Sequence, residues 1–228
     1  MNGERNIRPI AYIHTDFSQK FGIPRQSGRV PELIGRIIFE PEYNVADALR
    51  EIESFSHLWL IFDFSESHRD SWSPTVRPPR LGGNRRVGVF ASRSPFRPNN
   101  LGLSCVELLS VKYNEKEGNV LIVGGADLLD GTPIYDIKPY LSFSDAHIDA
   151  RNGYAESEKE HRLEVIFPDE IIQAVPEEKR TALIACLADD PRPSYQDDGR
   201  GYTMRFSCFD VSFTVANGIL NVTDVKKV

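Results

Sequence analysis

Short apolar runs, separated by turn-forming residues, dominate the first 140 residues of the chain. They are rich in Ile, Val, Leu and Phe, which favour strands, and Gly, Pro or Asn bounds most of them. We predict strands over residues 7–13, 32–39, 57–64, 87–90, 101–113 and 120–123. Because helices do not alternate regularly with these strands, the pattern favours a mainly β, antiparallel barrel over a doubly wound parallel sheet. One helix is predicted in this region, with Asn44 as its cap and apolar residues at helical spacing: Val45, Ala48, Leu49 and Ile52.

The composition changes after this region. Residues 142–160 are polar, and we interpret residues 146–159 as a linker between a barrel domain at 1–145 and a small α/β domain at 160–228. In the second part, residues 161–167 are strand-like, and residues 177–188 are predicted to form a helix with Pro176 near its start. Strands are predicted over 206–215 and 219–225, joined at Asn217-Gly218, which is typical of a type I′ hairpin turn.

An arginine-rich window lies inside this chain, whose formal net charge is −6. No Asp, Glu or Lys occurs from Ser71 to Val106, whereas six arginines do: Arg77, Arg80, Arg85, Arg86, Arg93 and Arg97. Guanidinium groups grip phosphate and carboxylate oxygens in pairs, and glycines in the window let such a ligand approach the backbone. The window therefore predicts an anion-binding site. A solvated basic loop is the alternative, but lysine would serve equally well in such a loop.

Cysteine, histidine and hydropathy patterns argue against several other classes. Cys105, Cys186 and Cys208 are odd in number and far apart, so neither a disulfide framework nor a zinc site is expected. The five histidines are scattered, so we expect no metal centre. A reducing cytoplasm fits this cysteine usage best. No apolar run approaches the ~18 residues that cross a bilayer, and the polar N-terminus does not resemble a signal peptide, so we expect neither membrane insertion nor secretion.

Several loop motifs carry polar side chains that could hold an anion or a nucleotide. They are Pro24-Arg-Gln26, Ser65-Glu66, Asp127-Leu-Leu-Asp130 and Asp190-Pro-Arg-Pro-Ser-Tyr195. Each motif alone is also compatible with an ordinary surface turn. Signatures of a catalytic triad, a P-loop or a metalloprotease do not occur. The residues by themselves therefore predict an anion- or nucleotide-binding, β-rich protein and do not name a reaction.

Taken in order, the motifs resemble those of a known family. The matching segments are Pro24-Arg-Gln26, Phe55-Ser-His-Leu-Trp59, Arg77-Pro-Pro-Arg-Leu-Gly-Gly-Asn84, Val87-Gly-Val-Phe-Ala-Ser-Arg-Ser94, Phe96-Arg-Pro-Asn99, Asp127-Leu-Leu-Asp-Gly-Thr-Pro133, Asp136-Ile-Lys-Pro-Tyr140 and Asp190-Pro-Arg-Pro-Ser-Tyr195. The set closely resembles the YaeB-like (TrmO-type) S-adenosylmethionine-dependent tRNA adenine N6-methyltransferases, over nearly the whole chain. The resemblance implies a homodimer whose β-barrel carries S-adenosylmethionine. It also implies methylation of N6 of threonylcarbamoyl-adenosine, next to the tRNA anticodon.

The resemblance also implies which residues contact the methyl donor. They are Pro24, Arg25, Gln26, Ser65, Glu66, Arg93, Leu103, Asp127, Leu128, Leu129 and Asp130. Many relatives carry a His before Gln or Glu where this chain has Ser65-Glu66, so the contact at Ser65 is left open between side chain and backbone, and a backbone contact would survive this departure. On chemical grounds, either Arg25 or Arg93 can meet the donor carboxylate. Either Glu66 or Asp130 can meet its ammonium or ribose diol. Leu103 and Leu128 can flank the apolar adenine surface.

Methyl transfer from a sulfonium to a nitrogen spreads charge rather than creating it, so alignment of the reactants should dominate catalysis. The acceptor nitrogen must also lose a proton, and the candidate proton acceptors are Asp130, Asp136 and Tyr140. Contacts to tRNA are expected from six residues: Arg77, Arg80, Arg85, Arg86, Arg192 and Tyr195. The alternative function is a noncatalytic RNA-binding module or regulator built on the same barrel, which the arginine window alone would satisfy.

Overall fold

The computed structural model describes residues 3, 5–78, 85–158, 161–192 and 199–228. Within these ranges the chain forms twelve strands and three short or medium α-helices. None of the helices found there has the length and apolar character required to cross a bilayer.

Most strands belong to two separate sheets. The strands are β1 (Ala11–His14), β2 (Ile34–Phe39), β3 (His57–Asp63), β4 (Thr75–Val76), β5 (Val87–Gly88), β6 (Leu101–Glu115), β7 (Gly118–Gly124), β8 (Thr132–Pro139), β9 (Glu164–Ile166), β10 (Gly201–Phe206), β11 (Phe209–Ala216) and β12 (Ile219–Lys227). The helices are α1 (Ser142–Asp145), α2 (Asp169–Ile172) and α3 (Glu177–Ala188).

The first sheet is a closed antiparallel barrel with the strand order β1-β2-β7-β6-β3-β8. The predicted fold class is therefore confirmed. Strand β3 shows why this sequence closes a barrel, because Leu58, Leu60 and Phe62 are buried while their neighbours are only partly covered. This alternation directs every second side chain into the barrel core. Strand β8 was not predicted, since Pro133 and Asp136 interrupt its apolar pattern. Its pairing with both β1 and β3 completes the closure.

The helix predicted after Asn44 is wrong. The segment forms two 3₁₀ turns, Ala46–Leu49 and Ile52–Ser54, and the first begins without a side-chain cap. The Asn44 side chain instead accepts from the Asn119 N–H at 2.7 Å and donates to the Glu117 carbonyl at 3.1 Å. It therefore fastens this segment to the β6–β7 turn, and that tertiary contact replaces the helix cap.

The second sheet has the order β10-β11-β12-β9, in which β9 runs parallel to β12 and the other pairs are antiparallel. The predicted helix 177–188 matches α3, which buries Leu183 and Leu187 against this sheet. The turn between β11 and β12 has positive φ at both Asn217 (52°) and Gly218 (78°). These values agree with the predicted type I′ hairpin.

The chain between β1 and β2 is an excursion, residues 15–33, that joins the two sheets. Its residues Phe17, Val30 and Leu33 are buried in the same apolar cluster as Leu183 of α3 and Phe206 of the second sheet. Phe17 packs edge-on against Phe206 with ring centroids 5.7 Å apart. The excursion is thus held between the barrel and the second sheet. Its middle part carries the predicted donor-binding motif Pro24-Arg-Gln26.

Candidate functional site

Two glycines bring the excursion onto the connection between β7 and β8. The Gly28 N–H donates to the Gly125 carbonyl at 2.9 Å. Gly125 has φ of 71°, and a Cβ at that position would lie 3.2 Å from the Gly28 Cα. A side chain at Gly125 would therefore combine backbone strain with a backbone clash. This close approach places two sequence-predicted motifs, residues 24–26 and 127–130, next to each other.

The place where the excursion, residues 15–33, meets the connection between β7 and β8, residues 125–131, is called the junction below. The first half of β6 offers backbone groups to this junction. Residues 101–107 of β6 pair with β3, whereas its pairing with β7 begins only at Glu107. On the edge that β7 leaves open, the Cys105 N–H donates to Ser27 Oγ at 3.2 Å. Alternate residues of a strand direct their backbone groups to the same edge, so the Leu103 N–H and C=O face this edge as well. Leu103 can therefore meet a ligand through its backbone, while its side chain, 56% exposed, lies on the outer barrel face.

Asp127 is a mostly buried carboxylate at this junction. Its Oδ1 accepts a hydrogen bond from Ser104 Oγ at 2.5 Å. Burial raises the pKa of Asp127, although the Ser104 hydroxyl, the Arg93 charge and the Ser27 amide partly oppose that rise. Sequence reasoning missed Ser27 and Ser104. Ser104 could have been found, since it occupies an inward-facing position in the first half of β6, between the buried residues Gly102 and Val106.

Arg93 brings the arginine-rich window to the same place. Its Nη1 donates to Gln26 Oε1, and Gln26 Nε2 donates in turn to the Arg25 carbonyl at 2.5 Å. The guanidinium also acts electrostatically on Asp127. Arg25 turns the other way, and its Nη2 donates to the Arg192 carbonyl at 2.8 Å. Of the two arginines considered for an anionic group of the donor, Arg93 therefore places its guanidinium against the Gln26 side chain, near Asp127.

Asp130 lies at the far end of the same connection. It accepts from the Thr15 N–H at 3.0 Å, and His14 Nδ1 lies 3.2 Å from the same carboxylate oxygen. Thr15 Oγ1 donates to the Leu128 carbonyl at 3.0 Å. The Leu128 side chain is only 2% exposed and belongs to the barrel core. The expectation that this side chain flanks an adenine is therefore corrected, because the residue is buried in the barrel core.

Ser65 and Glu66 form a 3₁₀ turn, Ser65–Ser67, directly after β3, and both are exposed. Lys20 fixes this turn, since its Nζ donates to the Glu66 carbonyl and to Ser67 Oγ, the latter at 3.1 Å. The excursion thus contacts Asp130 near its start and the Ser65–Ser67 turn through Lys20. Residues 15–33 therefore contact both Asp130 and the Ser65–Ser67 turn, which are far apart in sequence.

The three candidate proton acceptors do not lie together. Asp130 lies at the junction, but Asp136 lies midway along β8, with its Oδ2 2.7 Å from Lys138 Nζ. Tyr140 packs on Trp59 with ring centroids 5.7 Å apart, and its N–H donates to the His57 carbonyl. His57 begins β3, whereas Ser65 follows its other end. Of the three, Asp130 is therefore the one that lies beside other predicted donor residues.

The residues expected to contact tRNA differ in their surroundings. Arg77, Arg85 and Arg86 are exposed around the two-stranded ladder of β4 and β5, whereas Arg80 and Tyr195 lie outside the described residues. The Arg192 side chain is only 10% exposed and pairs with Asp190 through two contacts, of 2.9 and 3.1 Å. The expectation that Arg192 faces RNA is corrected, because its guanidinium is already bound inside the protein.

Comparison with known proteins agrees with this arrangement of motifs. The family model described as the tRNA-methyltransferase O N-terminal domain matches residues 12–146, and the TrmO C-terminal domain matches residues 160–228. The tRNA (adenine(37)-N6)-methyltransferase of Escherichia coli strain K12 is 43% identical, over 91% of this chain and 92% of that protein. A putative S-adenosylmethionine-dependent methyltransferase, RcsF, of Pseudomonas aeruginosa is 41% identical over 90% of both chains.

A solved structure gives the same result. The crystal structure of TrmO from Pseudomonas aeruginosa superposes with a TM-score of 0.78 and 33% sequence identity, and the match covers 98% of this chain and 99% of that one. The family models together span more than half of the sequence. The chain therefore belongs to the tRNA-methyltransferase O family.

Proposed function

We propose that this protein is an S-adenosylmethionine-dependent tRNA methyltransferase that modifies N6 of the adenosine next to the anticodon, and that the accepted nucleoside is threonylcarbamoyl-adenosine. Family membership and the printed activity of the Escherichia coli relative support this proposal. The structural observation that carries it is the junction at which Gln26, Arg93 and Asp127 meet the open edge of β6.

The chemical groups at this junction match those of S-adenosylmethionine. We assign Arg93 to the donor carboxylate, because a guanidinium forms paired, charge-assisted hydrogen bonds with a carboxylate. The backbone N–H and C=O of Leu103 can pair with the edge of the adenine. Asp127 and Asp130 offer carboxylate oxygens to the ribose diol or the ammonium group. The remaining predicted contacts, at Pro24, Arg25, Ser65, Glu66, Leu128 and Leu129, lie on the loops that border the junction.

When bound, S-adenosylmethionine supplies an electrophilic methyl group on a sulfonium. The protein's task is to hold the acceptor nitrogen in line with that methyl group and to remove the proton that the nitrogen loses. Asp130 is the carboxylate best placed to accept this proton, because it is exposed at the junction. Its hydrogen bond from the Thr15 N–H keeps one carboxylate oxygen oriented, and the other can face the acceptor.

We further propose that different parts of the chain have different roles. Residues 1–145 would form the barrel domain that binds the donor, residues 146–159 a linker, and residues 160–228 a small α/β domain that contacts tRNA. The apolar cluster shared by Phe17, Leu183 and Phe206 supports a fixed placement of the second domain beside the donor loop. A homodimer in the cytoplasm, where tRNA is modified, completes the proposal.

The decisive experiment is nucleoside mass spectrometry of threonylcarbamoylated tRNA before and after incubation with the protein and S-adenosylmethionine. We expect a mass increase of one methyl group on that nucleoside and none on unmodified adenosine. Calorimetry with the donor alone provides the binding measurement, and Asp130→Asn should lower the rate of methyl transfer by a larger factor than the donor affinity, since Asp130 is both a predicted donor contact and the proposed proton acceptor. An unchanged nucleoside profile, together with intact RNA binding and no donor binding, would instead support the noncatalytic RNA-binding module.

A further inference from the structure

Two large aromatic side chains are exposed at the β4–β5 ladder. Trp72 is 52% exposed and Phe90 is 75% exposed, and their ring centroids lie 6.3 Å apart at an interplanar angle of 32°. The ladder holds them in place, since the Val89 N–H donates to the Pro74 carbonyl at 2.9 Å beside the paired residues 75–76 and 87–88. Folding gains little from rings left in solvent, so an exposed and positioned aromatic pair indicates a binding surface.

The surroundings of this aromatic pair are cationic. Arg77 and Arg86 immediately flank the ladder and are exposed, as is Arg85. No Asp or Glu occurs between Ser71 and Val106, so the flanking charge is not neutralised within the segment. Rigid aromatic rings beside guanidinium groups are the features with which proteins bind single-stranded nucleic acid, by base stacking and by phosphate contact.

Trp72 also lines a small cavity next to the turn that follows β3. The cavity has a volume of about 150 Å³ and is lined, besides Trp72, by Ser67, Arg69, Asp70, Ser71, Phe96, Arg97, Pro98 and Asn100. The Arg69 guanidinium lies 3.6 Å above the Phe96 ring, which extends the aromatic and cationic character inward. Pockets that enclose a whole small molecule measure roughly 300 Å³ or more. This cavity therefore suits one group of a longer chain, the rest of which lies outside.

We propose that Trp72 and Phe90 form a stacking site for an unpaired base of an RNA loop whose phosphates meet Arg77, Arg85 and Arg86. The proposal rests on the proposed function for the identity of the loop. An adenosine that reaches the methyl donor must leave its stack, which deprives its neighbour of a stacking partner. The cavity beside Trp72 includes Ser67, which shares a turn with Ser65 and Glu66. A base on Trp72 would thus lie beside the one that enters the donor site.

A second copy of this chain is a less suitable occupant of the same surface. In a two-fold symmetric contact the same patch lies on both subunits. Such a contact would bring the three exposed arginines of one copy against those of the other, and the segment that carries them, residues 71–106, holds no acidic residue. A polyanion such as RNA would instead neutralise the charges of these arginines.

The test uses the full-length chain and a synthetic, fluorescently labelled RNA hairpin with the sequence of an anticodon stem and loop. Fluorescence anisotropy should show that Trp72→Ala weakens binding by about 5- to 150-fold, since one stacked base contributes on the order of 1–3 kcal/mol. Trp72→Phe should remain within about threefold of the original, because it keeps an aromatic face. The matched control is Phe143→Ala, which removes an 88% exposed ring distant in sequence from the ladder and should leave affinity unchanged.

Salt dependence separates stacking from phosphate contact. Trp72→Ala should leave the slope of log affinity against log salt unchanged, whereas Arg86→Gln should lower its magnitude by about one. A direct reading is available because the chain has two tryptophans. In a Trp59→Phe variant the remaining tryptophan is Trp72, and its fluorescence should be quenched by the hairpin.

Three results would overturn this proposal: unchanged affinity in Trp72→Ala, absent quenching, or a Trp72→Leu variant that binds as well as Trp72→Phe. A Trp72→Ala variant that changes the sedimentation of the protein but not its RNA affinity would also do so, and would identify the patch as a contact between copies. Methylation assays alongside the RNA-binding measurements keep the two proposals distinct. If the unmodified protein methylates tRNA and Trp72→Ala has the same KM, the stacking site alone is refuted. If the unmodified protein binds RNA through Trp72 without methylating it, the proposed reaction alone is refuted.

Discussion

Arg29 and Asp189 form an ion pair that joins the donor-binding excursion to the end of α3. Arg29 Nε donates to Asp189 Oδ1 at 2.6 Å, and the two side chains are only 20% and 4% exposed. Arg162 adds a further link, because its Nη2 donates to the Arg29 carbonyl at 2.6 Å. The position of the loop that carries Gln26 is therefore coupled to the folding of the C-terminal sheet, although the two are far apart in sequence.

Replacing Arg29 by alanine should destabilise the protein by about 3 kcal/mol, since it leaves the buried Asp189 carboxylate with one charged partner fewer. Urea denaturation measures this change. The control is Arg50→Ala, which removes an ion pair with Asp47 whose side chains are 72% and 86% exposed. That variant should resemble the original protein, because exposed pairs contribute little. Equal stabilities of the two variants would contradict the structural role of Arg29.

Asp127→Asn should stabilise the protein, and increasingly so as the pH rises. Burial raises the pKa of Asp127 above its unfolded value, so the neutral carboxyl is favoured in the folded state. The stability that the raised pKa gives the folded protein is present below the unfolded pKa of Asp127 and is lost as the pH rises through its folded pKa. Asparagine stays neutral and can still accept from Ser104. Urea denaturation between pH 4 and pH 8 should show a growing advantage of the variant. A constant difference across that range would count against this account.

Arg93→Ala should weaken binding of S-adenosylmethionine by roughly 10- to 100-fold, because a charge-assisted hydrogen bond contributes about 1.5–3 kcal/mol. The variant also loses the bond that orients Gln26. Isothermal calorimetry measures the effect. Arg85→Ala removes an exposed arginine of the same window and should leave donor affinity unchanged while weakening RNA binding. Equal losses of donor affinity in both variants would mean that the positive charge of the window as a whole, and not a specific contact of Arg93, supports donor binding.

Gly102→Ala should destabilise the barrel by about 1–3 kcal/mol, the usual cost of overpacking. A Cβ at Gly102 would lie 2.2 Å from Cζ of Phe62, its cross-strand partner. Phe62 is 5% exposed and packs against Phe64 with centroids 5.0 Å apart, which limits its retreat. Gly201→Ala is the matched strand control, since a Cβ there would meet nothing within 4 Å. Thermal denaturation should separate the two variants, and similar melting temperatures would refute the clash.

Tyr202→Phe should stabilise the protein slightly, by up to about 1 kcal/mol, because a buried hydroxyl without a partner carries an unrecovered desolvation cost. Among the described residues, Tyr202 Oη is the buried side-chain oxygen that lacks a hydrogen-bond partner. The ring itself stacks between Phe21 and Phe213, at centroid distances of 6.3 and 5.5 Å, and Phe keeps those contacts. Differential scanning calorimetry provides the measurement. A clear loss of stability would show that the hydroxyl is satisfied in solution.

Local signals predicted some elements well and failed where a distant partner intervened. Helix α3 and the Asn217-Gly218 turn followed from proline placement, apolar spacing and turn chemistry, all of which depend on near neighbours. Strand β8 was not predicted, because its strand conformation depends on pairing with β1 and β3, which are distant in sequence. Arg192 was misread for a similar reason. The motif Asp190-Pro-Arg-Pro-Ser-Tyr195 led us to expect an RNA contact at Arg192, but Asp190 already binds the guanidinium.

The sequence alone determined that the chain is rich in antiparallel strands, that its arginines are concentrated in one acid-free window, and that its motifs occur in the family order. These properties depend on composition and on periodicities of a few residues. Only the tertiary structure decided that Arg93 contacts Gln26, that Ser104 bonds Asp127, and that β6 leaves an edge open beside Ser27. Barrel closure makes these contacts by bringing together residues far apart in the chain, and such proximity leaves no periodic trace in the sequence.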